Sequence, residues 1–148
     1  GPYQFPEKLI PLIIISCLNE RKIPVYGDGS NIRDWIYIED HCNAIYKVLT
    51  QGKAGEKYNI GSNNEIKNID IIKVICEIMD TKVKRVGNLK YSELIEYVKD
   101  RPGHDFRYSI NNSKIKEHTG WTPSISFEDG IELTIDWYLN NKDWWKNN

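Results

Sequence analysis

The sequence contains few residues that could form a metal site or a disulfide. Its three cysteines, Cys17, Cys42 and Cys76, match neither zinc-site spacing nor a CxxC redox pair. Each lies among apolar residues of a predicted helix, so we expect buried, reduced thiols and a reducing, cytoplasmic location. The three histidines also lack metal-ligand spacing. The sequence therefore predicts no bound metal.

The chain also lacks a charge bias and a long apolar run. A formal net charge of -1 gives no reason to expect nucleic acid or an anionic membrane as a partner. The longest apolar run, Leu12 to Ile15, is far too short to span a bilayer, and no signal peptide is visible. With 40% hydrophobic residues, the 148 residues are enough for one globular domain.

Hydrophobic periodicity predicts one continuous α/β segment over residues 1–148. Helices are predicted over residues 7–20 and 41–51, from residue 68 or 70, over a short stretch before Gly120, and after Ser126. Strands are predicted over residues 23–26, 32–38, 58–60 and 94–98. These strands are few and short, which predicts a lobe that packs against something larger. The Gly at position 1, with Met79 as the only methionine, leads us to expect a piece of a longer chain.

Local patterns also predict caps and buried faces for these helices. Asp40 can cap the helix over residues 41–51, and the Ser126 to Asp129 tetrapeptide resembles a capping box for the last helix. The predicted inward positions of the first of these are Ala44, Ile45, Val48 and Leu49. Those of the helix near residue 70 are Ile71, Ile72, Ile75, Ile78 and Met79, and those of the last helix are Ile131, Ile135 and Tyr138.

Two motifs resemble catalytic or cofactor signatures and are better explained otherwise. The Gly27-Asp28-Gly29 turn has Ile32 where a dinucleotide loop needs its third glycine, and a strand follows it, so we predict a hairpin. Tyr138 and Lys142 match a Tyr-x-x-x-Lys pair, in which the lysine lowers the pKa of a tyrosine that acts as a base. This copy lies at the frayed end of the last helix, so we interpret it as a chance match.

Two arginines are candidates for holding a diphosphate, because a planar guanidinium can bond two phosphate oxygens at once. Arg33 lies on a predicted strand, and Arg101 lies in the Pro- and Gly-containing loop that also carries His104. Either arginine could instead be a solvated surface residue paired with a nearby carboxylate. His104 could act as an acid or base, but hydrogen bonding to a ligand or to the backbone is the simpler role.

The motifs occur in the order found in extended short-chain dehydrogenases/reductases. The matching segments are Gly1-Pro2-Tyr3, Phe5 to Pro11, Pro24 to Gly29, Arg33 to Asp40, Tyr58 to Gly61, Asp100 to Asp105 and Gly120 to Pro123. Within that superfamily, the Phe5 to Pro11 block and the Arg101-Pro102-Gly103-His104-Asp105 block most resemble dTDP-glucose 4,6-dehydratases. The resemblance covers almost the whole chain and implies the small substrate-binding lobe of such an enzyme, without most of its Rossmann domain.

The resemblance implies binding roles for the matching residues. Lys8, Leu9, Pro24, Val25 and Tyr26 would form the nucleoside pocket, with Tyr26 supplying an aromatic face for thymine. Arg33, Asn59 and Arg101 would hold the diphosphate of a dTDP-sugar, and His104 would line the same pocket. These contacts would position the glucose over NAD.

The resemblance also implies what this chain does not contribute. The Gly-rich NAD loop, a Thr-Asp-Glu acid/base trio and the catalytic Tyr-x-x-x-Lys pair would precede residue 1. The complete enzyme, expected to be a homodimer, would oxidise C4 of the sugar, eliminate water across C5–C6 and return the hydride to C6. NAD would bind mainly to the missing N-terminal domain, so this chain is expected to bind none and to be inactive alone. Two alternatives remain open. The chain could be part of another sugar-nucleotide epimerase or dehydratase, or it could be a non-catalytic module that binds a nucleotide sugar.

Overall fold

The computed structural model describes residues 1–147 and confirms an α/β chain, with helices and strands in the following order. The helices are α1 (Leu9–Leu18), α2 (Ile38–Gln51), α3 (Asn68–Lys82), α4 (Ser113–Thr119), α5 (Phe127–Asn140) and α6 (Lys142–Lys146). The strands are β1 (Ile23–Tyr26), β2 (Ile32–Asp34), β3 (Glu65–Lys67) and β4 (Ile95–Val98). Two 3-10 turns, Val86–Asn88 and Tyr91–Leu94, precede β4.

The main core forms where α1, α3 and α5 pack together beside the parallel pair of β1 and β4. The register of that pair places Ile23 opposite Ile95 and Tyr26 opposite Val98. Helix α1 is apolar around most of its circumference, as expected for a helix buried inside a core. The predicted inward positions of α3 and α5 are confirmed, with Ile78 only partly buried. Fully buried members include Ile14, Cys17, Ile23, Ile71, Ile75, Met79, Ile135 and Tyr138.

The predicted hairpin between residues 26 and 32 is wrong. Strand β1 pairs with β4, whereas β2 pairs antiparallel with β3, so the two strands that flank the turn belong to different sheets. The segment is nevertheless a tight turn, in which the Gly29 N–H donates to the Tyr26 carbonyl at 3.1 Å. Gly27 and Gly29 have φ angles of 61° and 75°, the left-handed region that favours glycine. The local turn chemistry was predicted correctly, but the distant pairing partners were not.

One predicted strand is shorter than expected, and another is absent. Strand β2 ends at Asp34, and residues 35–37 continue in extended form until α2 begins at Ile38. The predicted strand at residues 58–60 has no pairing partner among residues 1–147 and does not form a strand. Both stretches have strand-like sequences, but a strand also requires a neighbour to accept and donate its backbone hydrogen bonds.

Helix α2 departs from prediction at its start and on its buried face. Tyr37 occupies the N-cap position, and Asp40 lies inside the first turn, where its buried carboxylate bonds a distant loop. Ala44 is buried as predicted, but Ile45 and Leu49 are 51% and 82% exposed.

An apolar stripe therefore remains uncovered on α2, formed by Ile38, Cys42, Ile45 and Leu49, at spacings of four, three and four residues. Cys42 is exposed, contrary to the expectation that all three thiols are buried, whereas Cys17 and Cys76 are buried.

The C-terminal helices follow the predicted signals closely. Helix α4 ends at Gly120, which adopts the left-handed conformation with a φ of 68°. The Ser126 hydroxyl accepts a hydrogen bond from the Asp129 N–H at 3.1 Å, so Ser126 caps α5 as predicted. No helix within residues 1–147 has the length and apolar character that crossing a bilayer would require.

Candidate functional site

A polar cavity of about 390 Å³ lies between β2 and the loop that follows β4. Its walls include both candidate arginines and the candidate histidine. The lining residues are Arg33, Arg101, Pro102, Gly103, His104, Asp105 and Tyr108. Arg33 and Arg101 are 68 positions apart in sequence and line the same cavity because the loop folds back against β2. In this contact, the Ile32 N–H donates to the Phe106 carbonyl at 2.8 Å.

The guanidinium of Arg33 is held in a fixed position at one wall of this cavity. Its Nη1 donates to the Ile32 carbonyl at 2.7 Å, and its Nη2 donates to the Asp105 carbonyl at 2.9 Å. A longer contact of 3.5 Å joins Nη1 to the Phe106 carbonyl. Because these acceptors are neutral carbonyls, the positive charge of Arg33 is not cancelled by them. The alternative of a surface ion pair with Asp34 is not what the structure contains, since Asp34 instead accepts from Ser62 and Asn64.

Arg101 also lines the cavity, and it contacts Tyr26, the residue predicted to stack on the base. Its guanidinium carbon lies 5.4 Å from the centre of the Tyr26 ring, within the range of a cation–π contact. Tyr26 is the last residue of β1 and is 40% exposed. The structure thus brings Tyr26 and Arg101 together.

His104 lies in the cavity wall and is paired with a carboxylate that sequence analysis did not identify. Its Nδ1 is 2.7 Å from Oδ1 of Asp100, and its side chain is only 6% exposed. The hydrogen bond from His104, with that from the Arg101 N–H, holds the pKa of Asp100 below its ordinary value. This arrangement fixes the imidazole as part of the loop, which fits hydrogen bonding better than a free acid or base.

Two further residues line the site: Asp105 belongs to the matching loop motif but had no predicted role, and Tyr108 carried no recognisable sequence signal. The Tyr108 ring lies under Arg33, with the guanidinium carbon 4.5 Å from the ring centre. The Tyr108 hydroxyl donates to the Asp105 carboxylate, and this bond raises the pKa of Tyr108 above its ordinary value. The contact between this tyrosine and Arg33 depends on the pairing of the loop with Ile32, which the sequence does not reveal.

The other predicted binding residues lie outside the lining of this cavity. Lys8 is exposed at the start of α1, and Leu9 packs partly against the main core. Val25 is fully buried in that core, so its side chain faces away from solvent. Pro24 is half-buried within β1, and Asn59 is exposed on the extended segment after α2. Their roles in a nucleoside or phosphate pocket stay predictions.

The motifs that resembled catalytic signatures have structural roles. Tyr138 is fully buried, donates its hydroxyl hydrogen to the Gln4 carbonyl at 2.6 Å, and has a pKa raised by desolvation to about 12. A raised pKa is the opposite of what a tyrosine base requires. The Gly27-Asp28-Gly29 turn leads into β2 and not into a helix, so it does not fit a dinucleotide. Within residues 1–147, no cluster of three or more His, Cys, Asp or Glu side chains is placed to hold a metal ion.

Comparison with known proteins identifies the family of the chain. The family model described as GDP-mannose 4,6 dehydratase matches residues 1–134. The chain belongs to the GDP-mannose 4,6 dehydratase family. The match includes β2, the cavity loop and most of α5, so the two arginines lie within the family region.

The relatives of this chain include a dTDP-glucose 4,6-dehydratase from Escherichia coli that is 57% identical over 148 residues. That alignment covers 99% of this chain and 41% of the relative. Among solved structures, a Bacillus anthracis dTDP-glucose 4,6-dehydratase in complex with NAD is 46% identical, with a TM-score of 0.87 over 99% of this chain and 44% of that one.

A dTDP-glucose 4,6-dehydratase from Streptomyces venezuelae with NAD and TYD (thymidine diphosphate) bound has a TM-score of 0.89 at 40% identity, over 99% and 43% of the two chains. The resemblance to dTDP-glucose 4,6-dehydratases is confirmed. The chain spans about two fifths of the length of the relatives it matches.

Proposed function

We propose that this chain is the substrate-binding part of a dTDP-glucose 4,6-dehydratase and that its polar cavity holds the diphosphate of a dTDP-sugar. The observation that carries the proposal is that Arg33 and Arg101 both line one cavity. Two guanidinium groups can bond several phosphate oxygens and offset their charge. The S. venezuelae relative, which binds TYD, supports the assignment of the ligand class.

The remaining contacts of the ligand are proposed for residues outside the cavity lining. Tyr26 contacts Arg101 and is 40% exposed, which supports a role for its ring in contacting the base of the bound nucleotide. Asn59 is proposed as an additional phosphate contact. Oriented in this way, the sugar would be presented to the catalytic part of the enzyme, which is how remote binding energy contributes to the rate of a reaction.

The chemistry itself is assigned to a part of the enzyme outside this chain. The Gly27-Asp28-Gly29 turn leads into a strand, and Tyr138 is a buried structural tyrosine. We therefore propose that NAD and the acid/base residues are supplied by a nucleotide-binding portion preceding Gly1. The B. anthracis relative, which binds NAD and is more than twice as long as the matched region, supports this division.

Helix α2 carries the surface proposed to contact that portion. Its apolar stripe exposes Ile45 and Leu49, whereas the opposite side of the helix already packs on Ile115 and Trp121 through Ala44. A helix that is apolar on two sides is typical of a helix buried between two layers. In a longer chain, the residue preceding Gly1 would emerge beside Ile38, the first member of the stripe, because Gly1 packs against the Ile38 side chain.

A second cavity, of about 520 Å³, adjoins the same surface. It is lined by Gly1, Trp35 and Phe127 among others, and the Trp35 Nε1–H is buried without an acceptor within residues 1–147. An unsatisfied buried donor costs about 1–3 kcal/mol. A further segment whose carbonyl accepted from the Trp35 Nε1–H would remove that cost. This cavity supports packing of further polypeptide near Gly1.

The experiment that tests the proposed activity uses a chimeric enzyme. In it, the part of the E. coli relative outside the matched region is joined ahead of Gly1. We expect the chimera to convert dTDP-glucose into the 4-keto-6-deoxy sugar, and the 148-residue chain alone to form no product. A folded chimera that epimerises the sugar, or a chain that is active alone, would contradict the proposal.

Arginine variants of the chimera test the diphosphate site. Arg33→Ala or Arg101→Ala should raise KM about 10-fold to 100-fold, since a charge-assisted hydrogen bond contributes about 1.5–3 kcal/mol. Arg21→Ala, which removes an exposed arginine that does not line the cavity, is the matched control and should leave KM unchanged. Unchanged KM for both cavity variants would remove the diphosphate assignment.

The contact surface on α2 is tested by placing a charge on its stripe. Leu49→Glu should destabilise the chimera but leave the stability of the 148-residue chain nearly unchanged, because Leu49 is 82% exposed in the chain. Val86→Glu, at an apolar residue 88% exposed, is the control and should be tolerated in both proteins. Equal thermal stability of the two chimeric variants would refute the proposed surface. Light scattering on the chimera tests the expected homodimer.

A further inference from the structure

The Tyr108 ring contacts the Arg33 guanidinium. The guanidinium carbon lies over the ring, 4.5 Å from the ring centre. The hydrogen bonds to the Ile32 and Asp105 carbonyls act in the plane of the group. A stacked ring restrains motion out of that plane, which hydrogen bonds restrain poorly.

Contacts on both sides of Tyr108 hold its backbone in place. The Tyr108 N–H donates to the Ile32 carbonyl at 3.0 Å, next to Arg33 in sequence. The neighbouring side chains, Arg107 and Ser109, both bond the carboxylate of Glu65 on β3, with distances of 2.6 Å from Arg107 Nε and 2.7 Å from the Ser109 hydroxyl. Because side chains alternate along an extended segment, this anchoring turns the Tyr108 ring to the opposite side, toward Arg33.

We propose that Tyr108 is a positioning residue for diphosphate binding, whose ring holds the Arg33 guanidinium with its free N–H groups directed into the cavity. This inference rests on the proposed function of the cavity. The carbonyls leave part of the five-donor guanidinium available to a ligand. Tyr108 itself contributes through Arg33, and its hydroxyl is engaged by Asp105.

The test compares two substitutions and two ligands. Calorimetric titration of the chain with dTDP and with thymidine separates the diphosphate from the nucleoside. Tyr108→Leu, which removes the ring, should weaken dTDP binding about two- to fivefold, the range expected for an exposed cation–π contact. Binding of thymidine should be unchanged. Tyr108→Phe, which keeps the ring, should bind dTDP within about twofold of the parent chain, because the contact with Arg33 is retained.

A double substitution identifies the route of the effect. If the ring acts through Arg33, Tyr108→Leu should cause no additional loss of dTDP affinity in an Arg33→Ala background. In the chimera, Tyr108→Leu should raise KM without lowering kcat.

Three results would overturn the proposal. They are equal weakening of dTDP and thymidine, full dTDP affinity of Tyr108→Leu, and an additive loss in the double variant. Loss of dTDP affinity in Arg33→Ala together with full affinity in Tyr108→Leu would refute only the role of Tyr108. If Arg33→Ala also binds dTDP normally, the diphosphate site itself fails, and the inference with it.

Discussion

Replacement of Asp40 tests how helix α2 is attached to the rest of the chain. The Asp40 carboxylate is 2% exposed and accepts three hydrogen bonds from the loop before α5. These come from the Ser124 N–H at 3.0 Å, the Ser124 hydroxyl at 2.7 Å and the Ile125 N–H at 2.9 Å. The residue therefore ties two segments that are more than 80 positions apart in sequence.

The expected loss follows from the chemistry of these bonds. Hydrogen bonds to a charged group contribute about 1.5–3 kcal/mol, and a buried group left unsatisfied costs about 1–3 kcal/mol. Ser124 is exposed, so water can replace part of the lost bonding. We therefore expect Asp40→Ala to lower the free energy of unfolding by about 2–3 kcal/mol. Asp40→Asn keeps one acceptor oxygen and should lose less.

Urea unfolding followed by tryptophan fluorescence measures this loss, and two variants show its cause. Asp40→Ser would be harmless if residue 40 capped the helix, because serine is a good N-cap residue. If residue 40 instead ties α2 to the loop before α5, the serine side chain is too short to reach Ser124 and Ile125. Asp40→Ser should then be as destabilising as Asp40→Ala. Glu39→Ala removes a neighbouring acidic group from the same first turn and controls for the helix dipole. A loss below about 0.5 kcal/mol for Asp40→Ala would refute the tether.

Three further substitutions have expected outcomes. Gly61→Ala should lower the free energy of unfolding by about 1–3 kcal/mol in urea titrations, since its Cβ would overlap the Asp34 carboxylate. Glu65→Gln should remove stability that is present above pH 4.5 and lost as pH falls toward 2, because Arg107 lowers the pKa of Glu65 from 4.5 to about 2. Thermal melts of Glu65→Gln and the parent should therefore converge near the lower pH. Tyr138→Phe should cost about 1 kcal/mol of stability but leave the activity of the chimera unchanged, as expected of a structural hydroxyl.

Features determined by neighbouring residues were predictable from the sequence. The buried faces of α3 and α5 follow from helical spacing, and the Ser126 cap from a short local pattern. Gly120 ends α4 because glycine readily adopts the left-handed conformation. In each case the decisive signal lies within a few residues along the chain.

Features that depend on distant residues were not predictable in the same way. The turn after β1 looked like a hairpin because its glycines are typical of one, but β1 pairs with β4, about 70 residues later. The outward-facing Ile45 and Leu49 have the same apolar character as buried residues, so spacing alone could not tell a covered face from an uncovered one.

In the candidate site, too, some residues could be predicted from the sequence, whereas those that depend on contacts with distant residues could not. Arg33 and Arg101 were identified by chemistry and by resemblance, and the structure brings them to one cavity. Tyr108 and Glu65 were missed because their importance arises only when the 105–109 segment pairs with Ile32. A tyrosine in a polar loop carries no signal of the arginine that it will contact.

The most direct test of the central claim is a crystal structure of the chain, or of the chimera, with dTDP bound. We predict diphosphate oxygens within hydrogen-bond distance of both the Arg33 and Arg101 guanidinium groups, with the thymine against the Tyr26 ring. Diphosphate density elsewhere, such as in the cavity lined by Trp35 and Phe127, with the two arginines unchanged, would contradict the account.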